Sequence, residues 1–420
     1  MAASKAKKRA TKSKVKTANR VVVDSPPDSY EEPLDDFDPS TIVAPPINPR
    51  YAAMEKLASK FSAWRPAREV LRKVFAVPTC FAQYDRATRV GGHPIERFTL
   101  IHGPSNHGKT MWCHGLGMSF LKRGHFYLYV DAEMTTPITW LENTMTQYAD
   151  HPGFLAMRPK TYEETVDAVR VFCNGLASAR QAGEIDPATS ALIVVDSIKK
   201  LVPSALLAKI LKGDGGIDGM GGRGAQIKAA MNAAWLDELT PLLYHTRCTM
   251  VAIAREAEDP TADAMDKKFG NDWKVGGGSA LVYDSSLVNR ITRAGWVRES
   301  TDPNARVFGE RHCITIRKTK IAGKDEKVVK CYFHTSNGVL IPEGFDPARD
   351  LFEMAKQYGI IVTAGSWFTF GRTRWQGENN VVKALSSKPE LMEELDLLVR
   401  ARFSPDEDIP DDTQTPEVEA

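Results

Sequence analysis

The chain has 420 residues, of which 55 are Lys or Arg and 53 are Asp or Glu, so its formal net charge is only +2. This length allows two or three domains, and a hydrophobic fraction of 42% is ordinary for a soluble globular protein. No apolar run approaches the ~18 residues that a membrane helix needs. Six scattered cysteines without a C-x-x-C spacing argue against a zinc site or a disulfide framework, and we expect a cytoplasmic protein without a membrane partner.

The charges are sorted along the chain. Residues 1–20 carry eight bases and no acid, residues 24–38 carry seven acids and no base, and residues 405–420 carry seven acids and no base. Residues 39–404 are left with a net charge of +8. Solvated termini on an ordinary domain explain this pattern, and so does a basic body whose affinity for nucleic acid is tempered by acidic tails. Charge alone does not decide between these readings.

The N-terminal part is predicted in two pieces. Residues 1–48 are poor in apolar side chains and are predicted to form a disordered arm, first basic and then acidic. Residues 49–76 are predicted to contain two short helices, over 51–62 and over 67–75, the second opening after Pro66. Because neither helix can bury its apolar face alone, we expect this segment to dock on the chain's own core or on a neighbouring subunit, as an oligomerisation segment.

Residues 77–338 alternate strand-like apolar runs with longer amphipathic stretches. This alternation predicts an α/β core with a mostly parallel sheet that helices cover on both faces. The predicted strands span 98–102, 126–131, 191–196, 248–254, 286–291, 313–318 and 328–334. The predicted helices span 108–122, 137–148, 162–182 and 223–243.

Residues 339–404 are predicted to form a small C-terminal α/β domain, followed by a disordered acidic tail over 405–420. The expected elements are a helix over 346–358, a β region over 360–377 and helices from 379 to 403. Basic and aromatic side chains in this domain suit duplex DNA, and a plain structural cap explains them equally well. They are Arg372, Arg374, Trp375 and Lys383.

The strongest local signal follows the strand at 98–102. A loop with the spacing G-x-x-x-x-G-K-[ST] leads from this strand into a helix, which is the context that a phosphate-binding loop requires. Its glycines let backbone N–H groups turn toward phosphates, and the helix N-terminus adds favourable potential. Lys109 is predicted to reach the β and γ phosphates of ATP, and Thr110 to bind Mg²⁺. The predicted ATP-binding residues are Gly103, Pro104, Ser105, Asn106, His107, Gly108, Lys109 and Thr110.

Two carboxylates follow neighbouring predicted strands. Asp196 ends the apolar strand at 191–196, at the carboxyl edge of the sheet, and is the candidate that assists Thr110 in binding the metal. Glu133 follows the strand at 126–131 at the same edge and is the candidate general base. Either carboxylate alone is structural about as often as functional, and the phosphate loop favours the functional reading of both.

Together these motifs resemble bacterial RecA recombinases, over roughly residues 84–403. The resemblance implies a RecA-like P-loop ATPase that uses ATP and Mg²⁺, forms helical filaments on single-stranded DNA and exchanges strands with homologous double-stranded DNA. It also implies a nucleoid-associated protein of a bacterial or phage-infected cell. The resemblance depends on the residues Asp131, Glu133, Asp196 and Ser197, the segments 276–281, 314–322 and 365–371, and the acidic tail.

One implied role concerns the strand at 314–322. Lys318 and Lys320 stand at alternate positions, so both point to one face of the strand. The resemblance implies that they reach the γ phosphate of ATP on the adjacent subunit and act in catalysis. Without the resemblance, we would favour a pair of edge-strand lysines that discourage aggregation.

Two long Gly-rich stretches, 209–224 and 256–278, are predicted to be irregular loops, and the resemblance implies that they hold DNA. Cations track phosphates while rings and apolar wedges meet bases, so basic residues interleaved with aromatic ones suit single-stranded DNA. An exposed loop without a role is the alternative. The candidate DNA-binding residues are Lys212, Met220, Arg223, Lys267, Lys268, Phe269, Trp273, Lys274, Gly277 and Gly278.

Several positions depart from the family pattern. Arg255 stands where the family has a Gln that senses the γ phosphate, so the signal from ATP to the DNA loop would run through a charge. Val282 replaces a usual lysine and Ala225 an expected arginine. The arm at 1–48 is not typical of housekeeping members, which leaves a phage-encoded relative open.

Two other functions fit part of the pattern. A ring-shaped replicative helicase motor would share Lys109, Glu133 and Asp196, but the short N-terminal arm and the recombinase-like tail argue against it. An ATP-binding, DNA-binding regulator without strand exchange would not need an intact catalytic set. Arg255 keeps that second alternative open.

Overall fold

The computed structural model describes residues 71, 73–212, 221–265, 273–300, 302–322 and 329–402, without the side chains of 221–223 and 225. All of these except residue 71 belong to one compact unit, Lys73–Ala420. The predicted arm at 1–48, most of the helical segment at 49–76 and the tail at 405–420 lie outside the described residues. None of the helices within these ranges is both long and apolar enough to span a bilayer.

The strands and helices follow each other in alternation through the core. In chain order within the described ranges, the strands are β1 (Ala76–Val77), β2 (His93–Pro94), β3 (Phe98–Gly103), β4 (Phe126–Asp131), β5 (Phe154–Met157), β6 (Ala191–Asp196), β7 (Cys248–Glu258), β8 (Trp273–Val275), β9 (Leu287–Arg298), β10 (Val307–Thr319), β11 (Val329–Ser336), β12 (Gly344–Phe345), β13 (Val362–Ala364), β14 (Trp367–Phe370) and β15 (Thr373–Gln376). The α-helices are α1 (Ala82–Ala87), α2 (Lys109–Leu121), α3 (Ile138–Met145), α4 (Tyr162–Gln181), α5 (Ser204–Lys212), α6 (Gly221–Thr246), α7 (Ala280–Asp284), α8 (Pro347–Gln357), α9 (Glu378–Ser387) and α10 (Pro389–Arg400). Short 3₁₀ turns cover Thr146–Tyr148 and Ile198–Lys200.

A large mixed sheet forms the centre of the molecule, with the strand order β12-β11-β10-β9-β3-β7-β6-β4-β5 and with β8 paired to β7. From β9 to β5 every neighbouring pair is parallel, whereas β9 to β12 are antiparallel. The predicted α/β class with a largely parallel sheet is thereby confirmed. The parallel half places the carboxyl ends of β3, β4, β6 and β7 at one edge, where polar groups after these strands meet.

Helices cover both faces of the parallel half. On one face α1, α2 and α3 pack on the sheet around Phe81 and Trp112, and on the other α4 and α6 pack around Trp235 and Leu239. All six residues of β6 are buried, because both of its faces are covered. This explains why the strand reads as an unbroken apolar run that ends in Asp196.

The C-terminal part has its own small core. The antiparallel sheet β13-β14-β15 and the helices α8, α9 and α10 surround buried side chains that include Phe352, Val382 and Leu395. The end of α10 is attached to the core around the large sheet, since the Arg400 guanidinium lies 2.6 Å from an Asp85 carboxylate oxygen and donates to the Thr79 carbonyl oxygen at 2.8 Å.

The predictions of irregular loops need correction at their ends. Residues 209–212 complete α5 and residues 221–224 begin α6, so the stretch 209–224 is helical at both ends. In the stretch 256–278, β7 continues to Glu258 because β8 pairs with it antiparallel, Glu256 opposite Val275 and Glu258 opposite Trp273. A strand in a hairpin forms its backbone hydrogen bonds with the neighbouring strand, so it can form without an apolar run in the sequence.

Smaller differences concern short elements. The helix predicted over 67–75 does not include residues 73–75, which have no regular structure. The strand β5 and the helix α5 were not predicted, because four and nine residues are too short for a clear period in the sequence. The expected boundaries of the remaining helices agree with the structure to within a few residues.

Candidate functional site

The predicted phosphate loop lies between β3 and α2. Gly108 precedes the helix with a φ of 86°, and a Cβ there would lie 2.9 Å from the His312 ring, so only glycine lets the loop pass this close to β10. The Lys109 Nζ donates hydrogen bonds to the carbonyl oxygens of Gly103 and Pro104 at 3.0 and 2.6 Å. Burial lowers the pKa of Lys109. The loop therefore presents a partly desolvated ammonium group beside a helix N-terminus, an arrangement that attracts phosphate.

Asp196 and Thr110 form the second part of the site. The Thr110 Oγ1 donates to an Asp196 carboxylate oxygen at 2.5 Å, and the Tyr129 hydroxyl lies 3.4 Å from the same oxygen. Asp196 is 6% exposed, and its burial raises its pKa to about 6. A buried carboxylate beside a hydroxyl oxygen offers the hard oxygen ligands that Mg²⁺ prefers. These residues therefore fit the expected metal.

The metal would need further ligands from elsewhere. Among the described residues, no cluster of three or more His, Cys, Asp or Glu side chains is positioned to hold an ion. Mg²⁺ is commonly bound by one or two protein oxygens while water and substrate phosphates supply the rest. The pair formed by Thr110 and Asp196 matches that pattern of binding.

Glu133 lies across the cavity from the phosphate loop and is engaged on both of its oxygens. The Ser197 hydroxyl donates to Glu133 Oε1 at 2.8 Å. An Arg255 guanidinium nitrogen donates to Oε1 at 2.9 Å and to Oε2 at 3.0 Å. The side chains of Arg255 and Glu133 are 45% and 19% exposed. Arg255, noted in the sequence only as a departure from a pattern, is thus a direct partner of the predicted general base.

The next residue along β7 belongs to a buried ionic cluster. Glu256 accepts hydrogen bonds from both the Arg290 guanidinium, at 2.8 to 3.2 Å, and His102 Nδ1, at 2.8 Å. Burial opposes ionisation of Glu256, but these hydrogen bonds hold its pKa down to about 2. The Arg290 guanidinium also lies 5.0 Å from the centroid of the Trp273 ring. The cluster therefore links the strand of the phosphate loop, β7, β9 and the hairpin strand β8.

A cavity of about 460 Å³ joins these groups. Lys109, Thr110, Glu133, Asp196 and Arg255 line it, and so do Ser105, Asn106 and Gly108 of the loop. The structure thus brings the predicted phosphate, metal and base residues together. Gly103, Pro104 and His107 contribute to the loop without lining the cavity.

Sequence reasoning missed the far wall of this cavity. Arg293 donates to the Asn106 carbonyl oxygen at 3.0 Å and pairs with Glu310 at 2.9 Å. His312 Nδ1 donates to the His107 carbonyl oxygen at 3.1 Å. These side chains belong to antiparallel strands whose pairing no local pattern reveals. The Trp140 side chain, on α3, also lines the cavity, and an aromatic residue soon after Glu133 was a signal in the sequence.

Lys318 and Lys320 lie away from this cavity. The Lys318 Nζ donates to the carbonyl oxygens of Val282 and Tyr283, both at 2.7 Å, and the Lys320 Nζ donates to that of Tyr283 at 2.9 Å. The two ammonium groups therefore bind the carboxyl end of the short helix α7. The structure does not bring them to the cavity that Lys109 and Glu133 line.

The predicted DNA-binding residues are only partly described. Lys212 is exposed at the end of α5, and Lys274 pairs with Asp259 at 2.8 Å. Gly277 and Gly278 have φ values of 110° and 103°, and a Cβ on them would lie 2.6 Å from Leu281 and 2.9 Å from Ala229. Trp273 stacks near Arg290, as described above. The positions that lie outside the described residues are Met220, Lys267, Lys268, Phe269 and the side chain of Arg223.

A second cavity, of about 310 Å³, lies at the base of these segments. Gly277, the start of α6 at Gly224, and the basic residues Lys199 and Lys228 line it. The Lys228 Nζ donates to the Lys199 carbonyl oxygen at 3.1 Å, and burial lowers the pKa of Lys228. No carboxylate of the described residues lies within ion-pair distance of either lysine. The lining of this cavity therefore carries uncompensated positive charge.

Two family models match the chain. One, described as the RecA N-terminal domain, matches residues 48–338, and another, described as the RecA C-terminal domain, matches residues 349–404. The chain is 27% identical over 345 residues to Protein RecA of Thermus thermophilus, which covers 82% of the chain and 90% of that relative. It is 26% identical over 370 residues to Protein RecA of Lactobacillus delbrueckii subsp. bulgaricus, with 87% and 89% covered. It is 26% identical over 331 residues to Protein RecA of Geobacter sulfurreducens, with 79% of the chain and 86% of that relative covered.

Proposed function

Because this chain belongs to the RecA family, we infer that it is a DNA recombinase that promotes homologous pairing and strand exchange. Its reaction is the DNA-dependent hydrolysis of ATP. The observation that carries the catalytic part of this proposal is the grouping of Lys109, Thr110, Asp196 and Glu133 around one cavity beside a helix N-terminus. Strand exchange needs no reading of bases by the protein, because base pairing itself supplies the specificity.

Each of these side chains has a distinct task in hydrolysis. Lys109 and the loop N–H groups hold the phosphates. Thr110 and Asp196 would hold Mg²⁺, which would supply positive charge to neutralise the phosphates. Glu133 accepts a proton from the water whose oxygen attacks the γ phosphorus. The bond to the bridging oxygen breaks, and ADP leaves with its electron pair.

Lys318 and Lys320 are proposed to act on the nucleotide of the adjacent subunit. Their ammonium groups lie outside their own cavity and satisfy carbonyl oxygens at the end of α7. A phosphate is a stronger partner for an ammonium group than a carbonyl oxygen is, so a neighbouring γ phosphate would draw them away. Hydrolysis would then depend on assembly into a helical filament of subunits.

We propose that the DNA lies along the segments 209–224 and 256–278. The uncompensated charge of Lys199 and Lys228 beside Gly277 supports this placement, since phosphate contacts dominate affinity for nucleic acid. Duplex DNA is proposed to meet the C-terminal domain, where Arg374, Trp375 and Lys383 line a cavity of about 870 Å³.

The test is ATP turnover with and without single-stranded DNA, followed by electron microscopy of the complex. We expect DNA to stimulate hydrolysis and helical filaments to form in the presence of ATP and Mg²⁺. In Lys109→Ala, turnover should fall by at least ~100-fold, because the phosphates lose a positioned cation at the site of reaction.

A suitable control is Lys122→Ala, which removes an exposed lysine at the far end of α2 and should leave turnover unchanged. Closed six-membered rings that unwind duplex DNA would contradict the recombinase proposal and favour a helicase motor. Binding of DNA and ATP without turnover would favour a regulatory protein.

A further inference from the structure

The predicted general base is not free to act in the arrangement that the structure shows. Water activation requires a carboxylate oxygen within hydrogen-bond reach of the water. Both oxygens of Glu133 already accept hydrogen bonds, Oε1 from Ser197 and Arg255 and Oε2 from Arg255. Each oxygen keeps a lone pair, but the hydrogen bonds from Arg255 and Ser197 fix the orientation of the carboxylate and compete with the attacking water for it.

Arg255 also lies beside the loop that is predicted to bind the phosphates. It pairs in the sheet with Gly103, the first residue of the phosphate loop, and its side chain lines the same cavity as Lys109 and Thr110. An ion pair as exposed as this one contributes little, so a stronger partner can displace it. A phosphate group offers Arg a bidentate partner of higher charge and can therefore compete with Glu133 for it.

The backbone at Arg255 connects this contact to the second loop. The Arg255 carbonyl oxygen accepts a hydrogen bond from the Gly276 N–H at 2.9 Å, directly before Gly277 and Gly278. The following residue, Glu256, is fixed on the opposite face of β7 by His102 and Arg290. The Arg255 backbone is thus tied to Gly276, whereas the neighbouring Glu256 is held in place by other contacts.

We propose that Arg255 restrains the general base. Without DNA, Arg255 stays on Glu133 and slows hydrolysis; when DNA occupies the second loop, the shift at Gly276 transfers Arg255 to the γ phosphate, which frees Glu133 and adds positive charge where the transition state needs it. The inference rests on the proposed ATPase function, and it makes Arg255 a positioning residue for Glu133 before it becomes a ligand of the phosphate.

The test is the turnover number and the KM for ATP of the full chain and of Arg255→Gln, each with and without single-stranded DNA. Loss of the contact between Arg255 and Glu133 should raise the DNA-free turnover number by up to ~5-fold, the factor that corresponds to the free energy of an exposed ion pair. Losing the phosphate contact should lower the DNA-stimulated number by at least ~10-fold. The two rates therefore move in opposite directions, which a merely structural defect cannot produce.

Two further variants sharpen this result. Arg170→Gln removes an arginine that also contacts both carboxylate oxygens of a glutamate, Glu238, on the surface of α4 and α6, and it should leave both rates unchanged. In a Glu133→Gln background, the DNA-free increase caused by Arg255→Gln should disappear, because Arg255 acts there only through Glu133.

The outcomes separate this proposal from the proposed function. If both rates of Arg255→Gln fall in equal proportion, or if the DNA-free rate does not rise, the restraint is refuted even where the protein is a DNA-dependent ATPase. If the unaltered protein shows no stimulation by DNA, the proposed function fails, and the DNA-free rise in Arg255→Gln still decides whether Arg255 restrains Glu133.

Discussion

Arg255 and Glu256 are neighbours in the chain, and they face opposite sides of β7 with opposite surroundings. Arg255 is 45% exposed and pairs with one carboxylate at the edge of the nucleotide cavity. The Glu256 side chain is fully buried and receives hydrogen bonds from the side chains of Arg290 and His102. Exposed pairs contribute little to stability, whereas breaking a buried pair leaves an uncompensated charge. The first contact is therefore suited to change and the second to hold the strand in place.

Glu256→Gln should destabilise the fold at neutral pH by about 3–5 kcal/mol, because Arg290 would lose its buried partner. The folded pKa of Glu256, about 2, lies below the ordinary value of 4.5. Its charge thus stabilises the fold above pH 4.5, and this contribution is lost as pH falls toward 2. Urea unfolding of both proteins across pH 3–7 is the measurement.

The difference between the two proteins should shrink steadily below pH 4.5. Glu258→Gln is a matched control on the same strand, since Glu258 is exposed, and it should change stability by less than about 0.5 kcal/mol. A difference for Glu256→Gln that stays constant down to pH 3 would show that the buried cluster does not depend on its ionised form.

At the residue scale, the sequence predicts the groups that a local motif marks. Lys109, Thr110, Asp196 and Glu133 lie together because each follows a parallel strand, and a strand followed by a polar residue is visible in one short stretch of sequence. Arg293, Glu310 and His312 reach the same cavity through antiparallel pairing of β9 and β10, which joins residues far apart in the chain. Such pairing leaves no local pattern to read.

At the scale of elements, the two Gly-rich stretches combine regular ends with glycines at positions that demand them. The glycines at 277 and 278 lie where β8 gives way to α7, and Gly278 packs against Ala229 of α6. A glycine-rich composition predicts that such a stretch is an irregular loop over its whole length. Composition does not reveal that antiparallel pairing extends β7, or that the stretch 209–224 is helical at both ends.

Gly278→Ala should weaken binding of single-stranded DNA by roughly 10-fold while nucleotide binding stays unchanged. Its φ of 103° is costly for alanine, by about 1–3 kcal/mol, and the new Cβ would meet that of Ala229 at 2.9 Å. The loop would therefore move away from α6 and from the lysines at its base. Fluorescence anisotropy with labelled DNA measures the effect.

Gly175→Ala is the matched control for this substitution. Gly175 lies on the exposed side of α4, where an added Cβ meets nothing within 4 Å, so this change should leave DNA binding intact and slightly stabilise the helix. Equal loss of affinity in both variants would contradict the role given to the glycines of the second loop.

At the scale of the whole molecule, the net charge of +2 conceals a basic body and acidic ends. The lysines at the base of the second cavity give part of that basic charge a place in the fold, and the acidic residues of 405–420 belong to the same chain at high effective concentration. An acidic segment near a phosphate-binding surface competes with DNA for the same cations.

Deleting residues 405–420 removes seven acids and no base. The deletion should tighten DNA binding several-fold at low salt, and the gain should fade near 1 M salt, where charges beyond ~3 Å are screened. A chain that keeps the length of this tail but carries Asn and Gln in place of its acids should behave like the deletion. Equal affinity of all three proteins across a salt series would show that the tail does not compete with DNA.

The continuity of β7 affects the time scale on which Arg255 can change its hydrogen-bond partner. The strand runs for 11 residues from the centre of the sheet, past the phosphate loop and into its hairpin with β8, and it contains no hinge. Rotation of an exposed side chain takes picoseconds to nanoseconds, whereas hinge motions take microseconds to milliseconds. Arg255 can therefore exchange partners many times within one turnover at ~1–1,000 per second, so the fraction of time that it spends on Glu133, and not the rate of exchange, sets how strongly it slows hydrolysis.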